Sequence, residues 1–502
     1  MLSRAVQGAS KRFRAVLDDP GAAQREHLEA LLARSRGSHF GKEHGFSSVT
    51  DAADFMQQVP IRNYDELLPW IDAAAAGERQ VLTEDPVVAF EETGGSHSGG
   101  KLVPYTAAGL GEFQAGLHAW LDDLCMAVPG LDDGSVYWSI SPACRTPRTT
   151  RSGMPIGMVS DAAYFGVDVA PHILQSLAVP PEVGRCVDID EWRHRTLTHL
   201  LGRADLRMIS VWSPTFLTEL LACARAEVGA LARTLEPQRA ECVRAALTQA
   251  PPDYARLWPR LVVISCWDQA TSAGHAAALR TAFPGVRVQG KGLLATEGLV
   301  TIPLHDQPHP VLALRSGYFE FRDAAGAVRT AEALEDEGEY ELVITNASGF
   351  YRYAIGDRVK VRGYAGRTPM LEFCGRGPGA VDLCGEKLSE DFVLRILAGQ
   401  HLRFAALAAD RLAMRYVLLV DVDEVAEDRV ALLRRTTEQG LHRNPQYAHA
   451  RSLGQLKPLA VARAVQPASR WTVLRLRRGQ RLGDIKLPAL MDAACLQQML
   501  AP

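Results

Sequence analysis

The chain has 502 residues, 47% of them apolar and 23% charged, with a formal net charge of −3. That length is too great for one core and calls for two or three domains of ordinary globular composition. The charge gives no overall reason to bind nucleic acid or an anionic membrane surface, and no apolar run is long enough to span a bilayer.

Residues 2–35 read as helical. The opening MLSRAVQGASKRFRAVLDD places its basic residues after its apolar ones, against the order of a secretory leader. It is basic and amphipathic in the manner of a mitochondrial presequence, but a similar helix, AAQREHLEALLAR, follows at once and favours a plain helical start. Strand-like apolar runs come at 87–90, 135–140, 207–212, 261–265 and 286–289, with helical segments between them, including 215–233 and 237–249. This alternation predicts an α/β fold. From about residue 311, VLALRSGYFEF, EYELVIT, YRYAIGDRVKVRGY and PMLEFCGR read as strands joined by short turns, a β-rich subdomain. A polar loop at 377–382 leads into a mixed α+β tail. Nine scattered cysteines, odd in number and without a CxxC pair, suit reduced thiols and a cytoplasmic location. His305 and His309 flank a proline-containing loop with no third ligand nearby and read as a surface turn.

Four short stretches carry chemistry. In ETGGSHSGGKLVP (92–104), Gly95 through Lys101 fits the start of a P-loop. The position that should be Ser or Thr is Leu102, and Pro104 disfavours the helix that must follow, so KLVPYT reads as a strand and the match as accidental. The composition still suits phosphate: glycines let N–H groups turn inward, Ser96 and Ser98 add hydroxyls, and Lys101 adds a charge. A plain surface turn is the competing reading. In QGKGLLATEG (289–298), Thr296 and Glu297 can offer a hydroxyl to phosphate and a carboxylate to magnesium, or can simply begin a helix with Thr296 as its cap. In GFYRYAIGDRVK (349–360), Asp357 follows a glycine at a strand turn and can accept hydrogen bonds from a ribose diol. In GRGPGAVDLCGEKL (375–388), Arg376 can reach a sugar or phosphate oxygen and the glycines allow a hinge, or the stretch is only a linker.

The order and spacing of these stretches resemble the motif set of adenylate-forming enzymes. More closely, the chain resembles the auxin-responsive Gretchen Hagen family of acyl acid amido synthetases, within the luciferase and acyl-CoA synthetase superfamily. The resemblance rests on FGKEHGF (40–46), FMQQVPIRNYDELLPWI (55–71), FEETGGSHSGGKLVPYT (90–106), SVWSPTFL (210–217), LWPRLVVISCW (257–267), QGKGLLATEG (289–298), YRYAIGD (351–357) and GDIKLP (483–488). It implies a large N-terminal adenylate-forming domain with mixed sheets and a β-rich subdomain, residues 1–376, and a small mobile α+β C-terminal domain, residues 377–502. It implies ATP and Mg²⁺ as cofactors and a small carboxylic acid and an amine or amino acid as partners. By the same resemblance, Ser96, Ser98 and Lys101 match the phosphate loop. Thr296 and Glu297 match the turn at the α-phosphate and magnesium. Asp357 and Arg376 match the ribose contacts, and Lys486 matches the mobile-domain lysine, or is a solvated lysine. A hinge is expected between Arg376 and Asp382, with Asp382 and Gly385 as its pivot.

Departures from the family pattern are Gly94 in place of a hydroxyl, His97 within the loop, Gly100 in place of a frequent proline or alanine, and Leu293 and Leu294 where the superfamily stacks an aromatic residue on adenine. Arg145, Arg148 and Arg151 read either as an anionic-substrate loop or as a solvated segment. Trp212 and Trp267 read as acid-pocket or core residues. Two further readings stay open: an acyl-CoA ligase, for which the arginines of 470–481 could meet coenzyme A, and a non-catalytic nucleotide- or partner-binding protein.

Overall fold

The computed structural model describes residues 2–93, 101–139, 148–158, 161–269, 272–376, 380–400, 402, 404–477, 487–491 and 493–500. The chain forms two compact units, Met1–Thr93 with Leu102–Gly375, and Gly94–Lys101 with Arg376–Pro502.

The larger unit opens with three helices where the sequence suggests a first helix followed at once by a second. Gly8, in the left-handed region at φ 80°, separates Leu2–Ala5 from Ala9–Arg14. Asp19 caps the third helix, Pro20–Ala33, by accepting from Ala22 N–H, with Pro20 at the first helical position. The helix expected over 215–233 also divides, into Pro214–Ala226 and Val228–Ala232, at Glu227.

Four strands, Ser135–Trp138, Leu206–Ser210, Val263–Cys266 and Arg287–Gly290, pair in that order as a parallel sheet. The two central strands, Leu206–Ser210 and Val263–Cys266, are almost wholly buried, as in a parallel sheet covered on both faces. A second four-stranded sheet holds Lys101–Thr106, Val87–Thr93, Pro155–Ile156 and Arg148–Thr149. The β-rich region is a seven-stranded sheet, ordered Thr301–Ile302, Val311–Leu312, Thr368–Arg376, Tyr353–Ala365, Glu339–Thr345, Tyr318–Arg322 and Val328–Thr330.

One aromatic nucleus joins segments far apart in sequence. Phe40 stacks on Tyr351 with ring centroids 4.8 Å apart, and Phe46 meets Tyr351 edge-on at 5.0 Å. The backbone of Arg62 pairs with this strand through Arg62 N–H to Arg352 C=O at 3.0 Å and Ala354 N–H to Arg62 C=O at 2.8 Å. The stretches FGKEHGF, FMQQVPIRNY and YRYAIGD are therefore packing partners of one another.

The smaller unit carries the antiparallel pair Ala380–Val381 and Leu388–Ser389, and a mixed sheet ordered Ala460–Ala464, Arg415–Asp421, Ala405–Asp410 and Leu490–Met491. Helices Glu390–Ala398, Glu427–Leu441, Pro445–Ser452, Pro467–Arg477 and Ala493–Leu500 belong to it. Among the described residues no helix is long and apolar enough to cross a membrane, and every cysteine is a free thiol.

Candidate active site

After Gly290 the chain leaves the parallel sheet and doubles back as a tight hairpin, Leu294–Ala295 against Gly298–Leu299. Thr296 and Glu297 are its turn, so the helix start that the local sequence also allows does not form. Its carbonyls are held by two residues that sequence reasoning missed. The Tyr105 hydroxyl donates to the Thr296 carbonyl at 2.7 Å, and Asn346 Nδ2 donates to the Glu297 carbonyl at 2.7 Å. Asn346 Oδ1 accepts from the N–H groups of Ser348 and Phe350 at 3.0 and 3.1 Å, which locks the loop that carries it. Burial pushes the Tyr105 pKa up, the Tyr164 hydroxyl partly opposes this, and the charges of Glu91 and Glu297 add to it. Its hydroxyl thus stays a donor.

The Glu297 side chain is buried and accepts from the Tyr353 hydroxyl at 3.3 Å. Among the described residues no basic side chain pairs with it. A carboxylate withdrawn from water without a cationic partner is costly, and its donor chemistry fits a hard divalent cation.

Asp357 is buried, but it does not sit at a strand turn as the sequence suggests. It lies inside the long strand Tyr353–Ala365, where the pairing with Glu339–Thr345 slips between Glu341 and Val343. Glu341 faces Arg358 and Val343 faces Ala354, so extra residues bulge from the strand. Gly356 takes φ 83° within that bulge, a conformation few other residues accept. The bulge re-aims the following side chain.

Lys101 opens the strand Lys101–Thr106 and is half-buried. Arg376 is the last residue of the strand Thr368–Arg376. Ser96, Ser98 and Lys486, together with Gly94, His97, Gly100 and Arg145, lie outside the described residues. Arg148 is exposed and ion-paired to Glu92 at 2.8 Å. His305 is bound to Asp123, and Arg14 bridges Asp123 and Asp306 at 2.7 Å each, so a cation already occupies that acidic corner.

Beneath the hairpin lies a narrow cavity of about 50 Å³, lined by Leu117, Trp120, Trp138, Trp212, Lys291, Leu294 and Leu299 among others. Gly116 lets the helix Ala107–Ala127 approach, since a Cβ there would lie 2.6 Å from Leu299 Cδ2. The C-terminal edge of the parallel sheet underlies it. Trp138, Ser210, Ser265 and Gln289 form one row of directly paired residues across four strands. Open parallel sheets place ligands at this edge. Gln289 Oε1 accepts from Trp120 Nε1–H at 3.0 Å and fixes that indole. Lys291 Nζ donates to Ser210 Oγ at 2.8 Å and to Ser265 Oγ at 3.3 Å. The same ammonium lies 5.2, 5.8 and 5.9 Å from the ring centroids of Trp212, Trp120 and Trp138. Trp212 is thus a wall of the cavity, and Trp267 packs against it at 5.9 Å. A lysine between two glycines at a strand end was the signal available in the sequence, but nothing local distinguishes it from a solvated turn.

Two larger depressions are more open. One, of about 570 Å³, lies around Glu182 to Arg195; the other, of about 340 Å³, is bordered by Asp268, Arg280, Gln289 and Glu372. Neither includes the residues of the hairpin turn.

The fold is shared with solved adenylate-forming ligases. The chain is similar to a 2-hydroxyisobutyryl-CoA ligase over 98% of its length and 93% of that chain, at TM-score 0.54 and 14% identity. It is similar to the acyl acid amido synthetase AtGH3.15 in complex with 2,4-DB over 98% of its length and 95% of that chain, at TM-score 0.67 and 19% identity. At these identities the likeness is one of fold, the fold of a class of ligases. Within that class the sequence is more particular. Residues 9–241 match the GH3 family N-terminal domain and residues 310–376 the GH3 family central domain. A putative indole-3-acetic acid-amido synthetase, GH3.10 of Oryza sativa subsp. japonica, is 25% identical over 74% of this chain and 81% of its own. The chain belongs to the GH3 (Gretchen Hagen) family.

Proposed function

We propose that this protein activates a compact carboxylic acid with ATP and transfers the acyl group to an amine or amino acid. A carboxylate is a poor acyl donor because its leaving group is oxide. Attack of one carboxylate oxygen on the α-phosphorus of ATP forms the acyl-adenylate and breaks the bond to pyrophosphate, which leaves. A neutral amine then attacks the acyl carbon, the amide forms, and AMP departs as a stable anion.

One observation carries this reading. Leu294 and Leu299, paired across the hairpin, both wall the tryptophan cavity, and the turn two residues further on carries Thr296 and Glu297. Two strand residues span about 7 Å. An acid seated in the cavity therefore has its carboxylate end within a short reach of groups suited to phosphate and magnesium. In this reading Thr296 donates its hydroxyl to the α-phosphate and Asp357 accepts from the ribose hydroxyls. Glu297 holds Mg²⁺, which supplies positive charge against the phosphates. By the family match, Ser96, Ser98 and Lys101 are the phosphate residues, Arg376 is a ribose residue and Lys486 is the catalytic lysine. The hinge lies between Arg376 and Asp382. At its end Asp382 and Gly385 close a turn, with Gly385 N–H donating to Asp382 Oδ1 at 2.5 Å.

The test is pyrophosphate release from ATP and magnesium with a panel of acids, followed by product masses with amines or coenzyme A added. Acid-dependent release of pyrophosphate is expected, with AMP in equal amount and an amide mass once an amine is added. A thioester with no amide would move the protein to the CoA ligases. ATP binding without release for every acid would make it a nucleotide-binding protein.

A further inference from the structure

The tryptophan cavity is small and its walls are braced. Its volume of about 50 Å³ is about a third of the roughly 150 Å³ of an apolar protein cavity that takes up benzene. On that scale it holds about two or three carbon atoms and no ring. A loose wall could yield to something larger, but these are held from behind. The Trp120 indole N–H donates to Gln289 Oε1 at 3.0 Å, and both residues are buried. Trp138 is wedged edge-on between Trp120 at 6.1 Å and Phe165 at 5.1 Å. Leu299 is paired with Leu294 across the hairpin and already meets the helix Ala107–Ala127 at Gly116, so it has no room to retreat. Thr301 Oγ1 accepts from Leu293 N–H at 2.7 Å. The Lys291 ammonium is held by Ser210 and Ser265 and lies among three indoles, so it belongs to the wall and asks nothing of a ligand. Trp212 is the half-exposed side of the cavity, and Trp267 backs it at 5.9 Å.

Such a space rewards hydrocarbon up to the point of contact and then refuses it. The rest of the lining is leucine, isoleucine, proline and indole, which suits an aliphatic chain. Each CH₂ group moved from water into it contributes about fourfold in affinity. Beyond the fill, a further carbon must push closely packed side chains out of their rotamers. A single methylene too many in an apolar enzyme pocket costs about tenfold or more in discrimination. The braced walls make that limit sharp.

Resting on the adenylation reading, we propose that this cavity is a length gauge that selects short aliphatic acids, with about two or three carbons beyond the carboxyl group. Propanoate, butanoate and 2-methylpropanoate are of that class. Longer chains and acids that carry a ring are rejected. The hydrocarbon body fills the cavity, and the reacting carboxylate is left toward the Thr296–Glu297 turn.

The experiment is kcat/KM for pyrophosphate release with acetate, propanoate, butanoate, pentanoate, hexanoate, benzoate and phenylacetate. Binding of each acid is followed on the same samples by the intrinsic fluorescence of the tryptophans. The proteins are the wild type, Leu117→Ala and Leu117→Phe, since Leu117 lines the cavity from the helix. In the wild type kcat/KM is expected to rise about fourfold per carbon from acetate to butanoate and to fall about tenfold or more by hexanoate, with both ring-bearing acids lower still. Leu117→Ala takes three carbons from the wall and moves the best acid to pentanoate or hexanoate. Leu117→Phe adds three and moves it to acetate or propanoate. General damage to the fold cannot move the optimum in both directions. A wild type whose best acid is hexanoate or carries a ring overturns the proposal while leaving adenylation in place. An optimum that stays put in both variants overturns it as well, and so does a failure of every acid to bind. Binding graded by chain length in this way, without pyrophosphate release, leaves the proposal standing and sinks the adenylation reading instead.

Discussion

Arg352 precedes Asp357 on the same segment, takes a left-handed φ of 49° and is buried against Glu320. Its Nε donates to both Glu320 oxygens at 3.0 and 2.9 Å, and its Nη1 donates to the carbonyls of Met56 and Val59 at 2.6 Å each. Burial raises the Glu320 pKa, and the Arg352 charge opposes that rise. Arg352→Met keeps the volume and the backbone strain but leaves a buried carboxylate and two carbonyls without their donor. Breaking a buried pair from one side costs about 3–5 kcal/mol, a large part of a stability of order 5–15 kcal/mol. For a unit of this size that is a fall in Tm of roughly 4–7 °C. The double variant Arg352→Met/Glu320→Leu is expected to recover most of the loss, because the pair itself is near break-even against packed apolar groups. Thermal unfolding by circular dichroism at pH 8 reads this directly. At pH 5 the loss in the single variant shrinks. Without the arginine, the folded Glu320 pKa rises further above its unfolded value, so stability is retained at low pH and lost as pH rises. A single variant within about 1 kcal/mol of wild type would refute the reasoning. So would a double variant no more stable than the single.

Glu297→Gln is expected to lower acid-dependent pyrophosphate release by about 10²–10³-fold while leaving Tm within a few degrees, since only a weak hydroxyl contact is altered; an unaffected rate removes Glu297 from the site. Asn346→Leu strips the Glu297 carbonyl and two loop N–H groups of their partners. It should cost about 1–3 kcal/mol and lower kcat with little change in the KM for the acid, as checked by denaturant melts and steady-state kinetics. In the C-terminal unit, burial and then the Asp382 charge push the Glu386 pKa up to about 7 from its ordinary 4.5. Tyr416 and the N–H groups of Leu383 and Cys384 donate to this carboxyl. A raised folded pKa means stability is fully present below about pH 4.5 and is lost as pH rises through 7, by about 3 kcal/mol at most. Urea titrations at pH 5 and pH 8 should show that loss in wild type and a much smaller one in Glu386→Gln; equal slopes would mean that Glu386 is charged throughout.

Much of this protein is local and could be read in one dimension. The alternation of strand and helix through residue 289, the strands of EYELVIT and KLVPYT, and the motif stretches that mark the family all depend on side-chain period and turn residues close in sequence. The stretches holding Thr296, Glu297 and Asp357 could be singled out because hydroxyls and carboxylates beside glycines are rare among apolar strands. Their geometry could not. Thr296 and Glu297 suit a helix cap as well as a hairpin turn, and only the pairing of Leu294 with Leu299 chooses between them. Asp357 gains its position from a bulge, which exists only relative to the strand beside it. The row Trp138, Ser210, Ser265 and Gln289 comes from four strands whose order and register are set by packing between distant parts of the chain. The sequence alone therefore determined the fold class and the kinds of groups available for catalysis. Tertiary structure decided which of them share a cavity, because a residue's neighbours across a sheet are set by strand register and not by its place along the chain.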